Sequence, residues 1–419
     1  MGWQVGTQKE PLEIIEYKFY NRKMEELIKK LNQTAEHGSF EEEGIPAEPQ
    51  FGCGTAVQPK PEFIRVDPNY PAISYATISG GRKVPLLKTL LTSYCENNCY
   101  YCGCRAGRDC RRTTFTPDDM AKIFIEMYQK KYVQGLFLSS GVFRGAVTTQ
   151  DQLIKTAEIL RYKYQYRDYI HLKIMPGAEY DQVLQAMKLS DRVSVNLEGA
   201  TPQRLKNLAP MKAFNEQLLR PLQWVEKIRQ TCSPGITWNG RWPSTVTQFV
   251  VGGTDENDVE LLTISEYLIR QLKLSRTYYS AFSPISNTPL EGHAPENMWR
   301  RYRLFQASFL LRDYPFTMED FPFGKTGNLP LDRDPKFAWA EMNLKEAPIE
   351  VNKADYASLL HIPGIGPKGA VTIIDTRRRE SIRHLGDLKR LGILTKRAAP
   401  FMLINGKRPE FQYPLFSNE

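Results

Sequence analysis

Residues 86–102 read Leu-Leu-Lys-Thr-Leu-Leu-Thr-Ser-Tyr-Cys-Glu-Asn-Asn-Cys-Tyr-Tyr-Cys. An apolar run with strand character ends in three cysteines, Cys95, Cys99 and Cys102, spaced C-x3-C-x2-C. The same rhythm recurs downstream. Strands are predicted at 86–92, 135–140, 169–175, 192–198, 246–251 and 276–282, with amphipathic stretches at 117–130, 150–163, 179–188, 215–229 and 257–271 between them. Thr116-Pro117-Asp118-Asp119 opens one of these helices, with proline in the first turn and acids at its positive end. Six βα repeats imply a parallel sheet covered by helices on its outer face, curled into a full or partial barrel. Such architectures carry their chemistry beyond the C-terminal strand ends, where the cysteines sit.

The 419 residues suggest two or three units. A charged fraction of 25% and an apolar fraction of 41% are those of a soluble globular protein. No apolar run is long enough to span a membrane, and Met1–Ile15 has no secretory pattern, so a cytoplasmic location is expected. The net charge of +9 permits a polyanionic partner without requiring one. Residues 12–31 look helical, and 38–80 read as an irregular connector rich in Gly, Pro and Glu. The expected divisions are an N-terminal extension (1–83), a barrel (84–345), a small all-α domain (346–407) and a tail (408–419).

Seven cysteines, five of them within sixteen residues, read as metal or redox chemistry, not a disulfide framework. Three thiolates can hold three irons of a [4Fe–4S] cubane and leave the fourth open. Zinc is the alternative, with Cys104 as a fourth ligand. Cys104 and Cys110 have no settled role, and Cys53 and Cys232 read as buried small hydrophobes. On the fourth strand Ser194, Asn196 and Glu198 share one face and Val193, Val195 and Leu197 the other. The same alternation turns His171 and Lys173 inward on the third strand, and Gln248 inward on the fifth. His171 and Lys173 either contact a ligand or substrate, the catalytic reading, or satisfy a polar barrel interior.

Residues 359–377 run Leu-Leu-His-Ile-Pro-Gly-Ile-Gly-Pro-Lys-Gly-Ala-Val-Thr-Ile-Ile-Asp-Thr-Arg. This resembles the helix-hairpin-helix of DNA repair and recombination proteins. Gly364 and Gly366 permit a tight turn whose N–H groups, with the next helix N-terminus, form a phosphate site. Pro363, Gly364, Ile365, Gly366, Lys368 and Arg377 are the expected DNA contacts. Residues 371–407 carry nine lysines or arginines against three acids, which agrees with a polyanion. A hairpin used for protein contact is the alternative. The tail residues Gln412-Tyr-Pro-Leu415-Phe416 resemble the pentapeptide that docks on bacterial sliding clamps, with Gln412, Leu415 and Phe416 as anchors.

The cysteine spacing, with Tyr101 before the last thiol, resembles the radical S-adenosylmethionine (SAM) superfamily. That resemblance implies a partial (β/α)6 TIM-like barrel followed by the helix-hairpin-helix domain, and cofactors of a [4Fe–4S] cluster and SAM. It implies that the open iron chelates SAM and that reductive cleavage yields a 5′-deoxyadenosyl radical. It places Tyr101, Ser139, Ser140, Gly141, Ser194, Asn196, Glu198 and Gln248 around SAM. Taken with Leu136-Phe-Leu-Ser-Ser-Gly-Val142, Tyr169-Ile-His-Leu-Lys173, Arg192-Val-Ser-Val-Asn196, Tyr278-Tyr-Ser-Ala281 and Val351-Asn-Lys-Ala-Asp-Tyr356, the chain resembles a family of DNA modification or repair radical SAM proteins. This implies DNA as a partner, a flavodoxin or ferredoxin as electron donor, and a uracil-DNA glycosylase-like protein as associate. Cys104, Cys110 and Glu198-Gly199-Ala200-Thr201 depart from that family's pattern. An RNA or nucleotide-derived substrate, or a non-catalytic metal-stabilised scaffold, are the competing readings.

Overall fold

The computed structural model describes residues 23–34, 73–77 and 83–410. A helix α1 (23–34) precedes β1 (Ile73–Thr77) and β2 (Lys83–Leu90). There follow α2 (Pro117–Gln129), β3 (Gly135–Ser139), α3 (Ala146–Glu158), β4 (Tyr169–Lys173), α4 (Tyr180–Leu189) and β5 (Arg192–Ser194). Next come α5 (Pro202–Leu208), α6 (Arg220–Thr231), β6 (Ser244–Val251), α7 (Asp258–Arg270), β7 (Arg276–Ala281), α8 (Met298–Asp313) and α9 (Pro335–Asn343). The last elements are β8 (Ile349–Glu350), α10 (Tyr356–His361), α11 (Pro367–Arg377), α12 (Leu385–Arg390), α13 (Thr395–Ala398) and β9 (Met402–Leu403). The chain is α/β, and within each unit the parallel strands neighbour one another in chain order.

Two compact units arise. One holds the described parts of Met1–Gly44 and Lys60–Val195 together with Met211–Ser244. In it β2, β3, β4 and β5 pair in parallel, with Leu87 opposite Leu136 and Leu138 opposite Leu172. All five residues of β3 are buried, because a parallel strand is covered on both faces. Thr116 caps α2 by accepting from the Asp119 N–H at 3.2 Å, and Pro117 needs no partner for a missing donor. Met24, Leu27 and Leu31 form the buried stripe of α1, and Thr34 meets Thr89 of β2 at 2.9 Å. β1 corrects the reading of 38–80 as wholly irregular: Ile73-Ser-Tyr-Ala-Thr77 pairs antiparallel with β2. The predicted helices 150–163 and 215–229 are compound. Each joins an α-helix to a π-helical turn, at Ile159–Lys163 and Phe214–Leu219.

The second unit holds Asn196–Pro210 and the described part of Thr245–Glu419. Here β6 and β7 pair in parallel over six positions. At its C-terminal end, α10 to α13 share a core that includes Leu359, Ile365, Ile373, Leu388, Ile393 and Phe401. The expected all-α domain also contains a short parallel pairing of β8 with β9, which ties its first and last segments together.

Arg161, in the first π-helical turn, shows what fixes the segments that lead into β4 and β5. It is fully buried and donates to the carbonyls of Leu189 (2.9 Å), Tyr166 (2.9 Å) and Asp168 (2.8 Å) and to the Asp191 carboxylate (2.9 Å). Its guanidinium also lies 3.7 Å from the Trp238 ring centroid. Arg161→Met takes the donor from three carbonyls and the countercharge from Asp191, which keeps only its neutral donors, the Ile170 N–H and the Asn239 amide. It is expected to cost about 3–5 kcal/mol in a urea unfolding titration; a change below about 1 kcal/mol contradicts the assignment.

Candidate functional site

The cysteine loop leaves β2 and is pinched shut before α2. The Ser93 N–H donates to the Thr113 carbonyl (3.0 Å), the Thr113 N–H to the Ser93 hydroxyl (2.9 Å), and the Thr92 and Thr114 hydroxyls lie 2.6 Å apart. Within the loop Cys99 and Cys104 are buried, and Cys95, Cys102 and Cys110 are half-buried. The described cysteines form no disulfide. Among the described residues no three His, Cys, Asp or Glu side chains converge on a point that would hold one metal ion.

A seam of hydrogen bonds joins this loop to the segment after β3. The Gly141 N–H donates to the Thr92 carbonyl (2.8 Å) and the Glu96 N–H to the Val142 carbonyl (2.7 Å). The Glu96 carboxylate accepts from the N–H groups of Arg144 (2.6 Å) and Gly145 (3.2 Å), at the positive end of α3. Gly141 has no room for a side chain: a Cβ would lie 2.1 Å from the Tyr94 carbonyl oxygen and 3.1 Å from the Cys95 Cβ. Among the described residues the buried Ser140 hydroxyl has no hydrogen-bond partner, which is costly unless a ligand supplies one. Soft thiols on one loop, an orphaned hydroxyl beside them and a backbone without a side chain fit a thiolate-held cluster with a small polar ligand next to it.

Burial pushes the Cys95 thiol up from its ordinary pKa. The Cys102 thiol is pushed well up, first by its hydrogen bond with the Cys104 thiol and then by burial. The charge of Lys212 pulls both the other way. Metal binding must displace these protons.

Inside the sheet, the His171 ring stacks on Phe137 with centroids 4.2 Å apart and planes 10° apart. Its Nε2 lies 2.8 Å from the Ser194 hydroxyl, and the Lys173 ammonium lies 5.5 Å from the Phe137 ring centroid. The structure therefore gathers His171 and Lys173 around one aromatic ring, with Ser194 bonded to His171, all buried. Gln150 of α3, which the sequence did not single out, fixes the end of β4 by accepting from the Met175 N–H at 2.7 Å. In the second unit Glu198 and Gln248 are bonded through the backbone, the Glu198 N–H donating to the Gln248 carbonyl at 3.0 Å. The strand predicted over 192–198 stops at Ser194, and Glu198 takes a left-handed φ of +64°. Asn196 is half-buried there, and Ser139 and Tyr101 belong to the first unit with the cysteine loop.

The glycine-rich turn at 362–366 joins α10 to α11. Gly364 has φ +85°, and a Cβ there would meet the Leu394 carbonyl oxygen at 2.6 Å. The N–H groups of Gly364 and Gly366 have no acceptor among the described residues. Ile365 is core, Pro363 is buried and Lys368 is exposed. Arg377 donates to the Val351 carbonyl at 2.7 Å and so staples the module from within. The half-buried Lys336 side chain, also missed, donates from its ammonium to the Ile365 carbonyl at 2.6 Å and sits 4.7 Å from the Tyr314 ring centroid. Burial lowers its pKa to about 7, Arg397 adding to the shift and Asp334 opposing it. A second turn, Leu391-Gly392-Ile393-Leu394, joins α12 to α13 and repeats the first, with Gly392 at φ +80° and Ile393 buried. Its donors are used internally: Gly392 bonds to Lys389, Ile393 to Leu388 and Leu394 to Gly364. The Gly-Ile pair common to both turns was the available sequence signal. Gln412, Leu415 and Phe416 lie outside the described residues.

Residues 89–268 match the family model of the Radical SAM superfamily. No curated protein sequence matches the chain. Among solved structures it is similar to HydG, a maturase of the [FeFe]-hydrogenase, at 13% identity and TM-score 0.42, over 53% of this chain and 48% of that one. It is similar to methylornithine synthase PylB at 13% identity and TM-score 0.42, over 53% and 60%. The HydG of Carboxydothermus hydrogenoformans aligns at 14% identity and TM-score 0.41, over 74% and 70%. The chain thus spans about half to three fifths of the first two of these proteins.

Because Gly141 is packed against the backbone that carries Cys95, Gly141→Ala must displace the cysteine loop. Chelator competition on the reconstituted protein should show iron affinity reduced ~10- to 100-fold. Iron retention equal to the unaltered chain would contradict the seam's role.

Proposed function

We propose that this chain, whose residues 89–268 match the family model of the Radical SAM superfamily, is an enzyme with a [4Fe–4S] cluster and SAM as cofactors and acts on DNA, modifying it or repairing a lesion. The observation that carries the DNA reading is the turn at Gly364 and Gly366. Two backbone donors without acceptors among the described residues stand at the start of an eleven-residue helix, and residues 371–407, which begin within that helix, carry nine basic residues against three acids. Lys336 adds a cation directly behind the turn.

Cys95, Cys99 and Cys102 hold the cluster in this reading. When bound and reduced, it supplies the electron that cleaves SAM and so generates a carbon radical able to take a hydrogen atom from the substrate. Ser139, Ser140 and Gly141 receive the SAM amino group, and the orphaned Ser140 hydroxyl gains its missing partner there. Tyr101 and Ser194, and separately Asn196, Glu198 and Gln248, are the further SAM-contact candidates that the sequence resemblance implies. His171 and Lys173 orient the substrate, His171 held in place by Phe137 and Ser194. Pro363, Ile365 and Arg377 shape the hairpin, while Gly364, Gly366 and Lys368 contact phosphates. Because hairpin contacts of this kind grip backbone and not bases, the reading predicts binding without sequence preference. A target base must be single-stranded or extruded to reach a radical pocket. A flavodoxin or ferredoxin is the proposed electron donor. The glycosylase-like partner and the sliding clamp remain proposals of the sequence resemblance alone.

Anaerobic turnover with deuterated nucleic acids tests the proposal. Deuterium passing from DNA into 5′-deoxyadenosine supports it. Transfer from RNA or free nucleotides alone assigns the substrate elsewhere, and DNA binding without SAM cleavage leaves a scaffold. DNA affinity should fall steeply with salt, and Lys368→Glu should weaken it by about tenfold while lowering the salt slope by about 1. Filter binding across a salt series decides this, and an unchanged slope counts against the contact.

Lys336 gives a pH dependence with a defined sign. Its ammonium is charged below about pH 7 and neutral above it, because burial lowers its pKa. DNA affinity is therefore expected to drop as pH rises through 7, and Lys336→Met should flatten that drop. An equal drop in both proteins places the titration elsewhere.

A further inference from the structure

One side chain inside the cysteine loop makes more backbone contacts than any motif there calls for. Arg112 stands at the pinched neck, immediately before Thr113. One of its terminal nitrogens donates to the carbonyls of Ser93 (2.7 Å) and Cys104 (2.8 Å), and the other to those of Arg105 (2.6 Å) and Arg108 (3.1 Å). A single guanidinium thus binds the loop on both sides of the three cysteines. Only a planar fork with five donors can do this; a lysine's compact ammonium has three, radiating from one point.

The segment that Arg112 holds includes Cys104, whose backbone N–H donates to the Cys102 sulfur at 3.4 Å. Neighbouring bonds keep the same stretch in place: the Arg105 N–H to the Cys102 carbonyl (3.3 Å), the Ala106 N–H to the Asn97 carbonyl (2.9 Å) and the Arg108 guanidinium to the Gly103 carbonyl (3.0 Å). Hydrogen bonds to thiolate sulfurs are among the factors that set the reduction potential of an iron–sulfur cluster. A donor aimed at the sulfur favours the reduced state, which carries more negative charge.

We infer that Arg112 is a positioning residue for the cluster: by clamping the carbonyls of Ser93, Cys104, Arg105 and Arg108 it holds the Cys104 N–H on the Cys102 sulfur, and this bond raises the cluster's reduction potential. The inference rests on Cys102 being a cluster ligand. It assigns Cys104 a role through its backbone, so the Cys104 thiol need not ligate anything.

The test compares the reconstituted wild-type chain with Arg112→Lys and Arg112→Gln. Midpoint potentials come from EPR-monitored redox titration, with iron content measured on each sample. Arg112→Lys keeps the positive charge and loses the fork, so it separates geometry from electrostatics. The expected result is a potential shifted to more negative values in both variants at full iron content. A wild-type potential in Arg112→Lys would mean that charge alone acts and would overturn the inference, as would unshifted potentials in both. Should the variants fail to retain iron, the wild-type protein decides. Its reduced cluster should show a strongly coupled exchangeable proton that disappears in D2O, and absence of that coupling overturns the inference. A wild-type chain that assembles no cluster removes the ligand reading itself, a failure visible in the iron analysis before any potential is measured.

Discussion

The structure depends on a short run of backbone hydrogen bonds between the end of β2 and the segment after β3. The Leu91 N–H donates to the Ser139 carbonyl (2.8 Å), the Gly141 N–H to Thr92 and the Glu96 N–H to Val142. These bonds continue the parallel pairing of β2 with β3 beyond its last regular pair, Leu90 with Ser139. They convert a sheet register into a chemical arrangement: the loop that carries the thiols is fastened to the backbone of Ser139-Ser140-Gly141. The missing side chain of Gly141 and the Glu96 carboxylate at the start of α3 are the two devices that keep the seam closed. A one-residue slip would turn every inward group of the strand to the opposite face.

Much of this arrangement could be read from the sequence. The cysteine spacing located the loop, and period-two alternation in Tyr169–Lys173 put His171 and Lys173 on one face, where the structure has them beside Phe137. Strand and helix positions were legible because the buried parallel strands are continuous apolar runs and the helices carry cap signals such as Thr116-Pro117. What was hidden depends on partners distant in sequence. Glu96 looks like a spacer residue between two cysteines, yet it closes on backbone forty-eight residues away. Arg112 follows another arginine and carries no periodic signal, and Lys336 is one lysine in a Pro-rich passage. The short strand Ile73–Thr77 carries strand-favouring Ile73, Tyr75 and Thr77, but at five residues, inside a stretch rich in Gly and Pro, it was read with its surroundings; it pairs antiparallel with β2. The end of β5 at Ser194 was missed because the alternation in the residues continues past the point where the backbone turns.

The two glycine turns show how one motif can serve two purposes. In Leu391–Leu394 the donors are consumed by the chain itself, one of them on the Gly364 carbonyl. In Ile362–Gly366 two donors find no acceptor among the described residues, and the half-buried Lys336 bonds the Ile365 carbonyl. The second turn builds the support on which the first is displayed, as the close fit of Gly364 against Leu394 indicates. Two copies of the same short motif thus differ in where their N–H groups point their hydrogen bonds.

The central claim is that three thiols on one loop hold a cluster with one iron left for SAM. Mössbauer spectroscopy of the iron-57 reconstituted protein addresses it directly. The account predicts that adding SAM changes the signal of one iron in four and leaves the other three as they were. Four irons that remain equivalent with SAM present would contradict it.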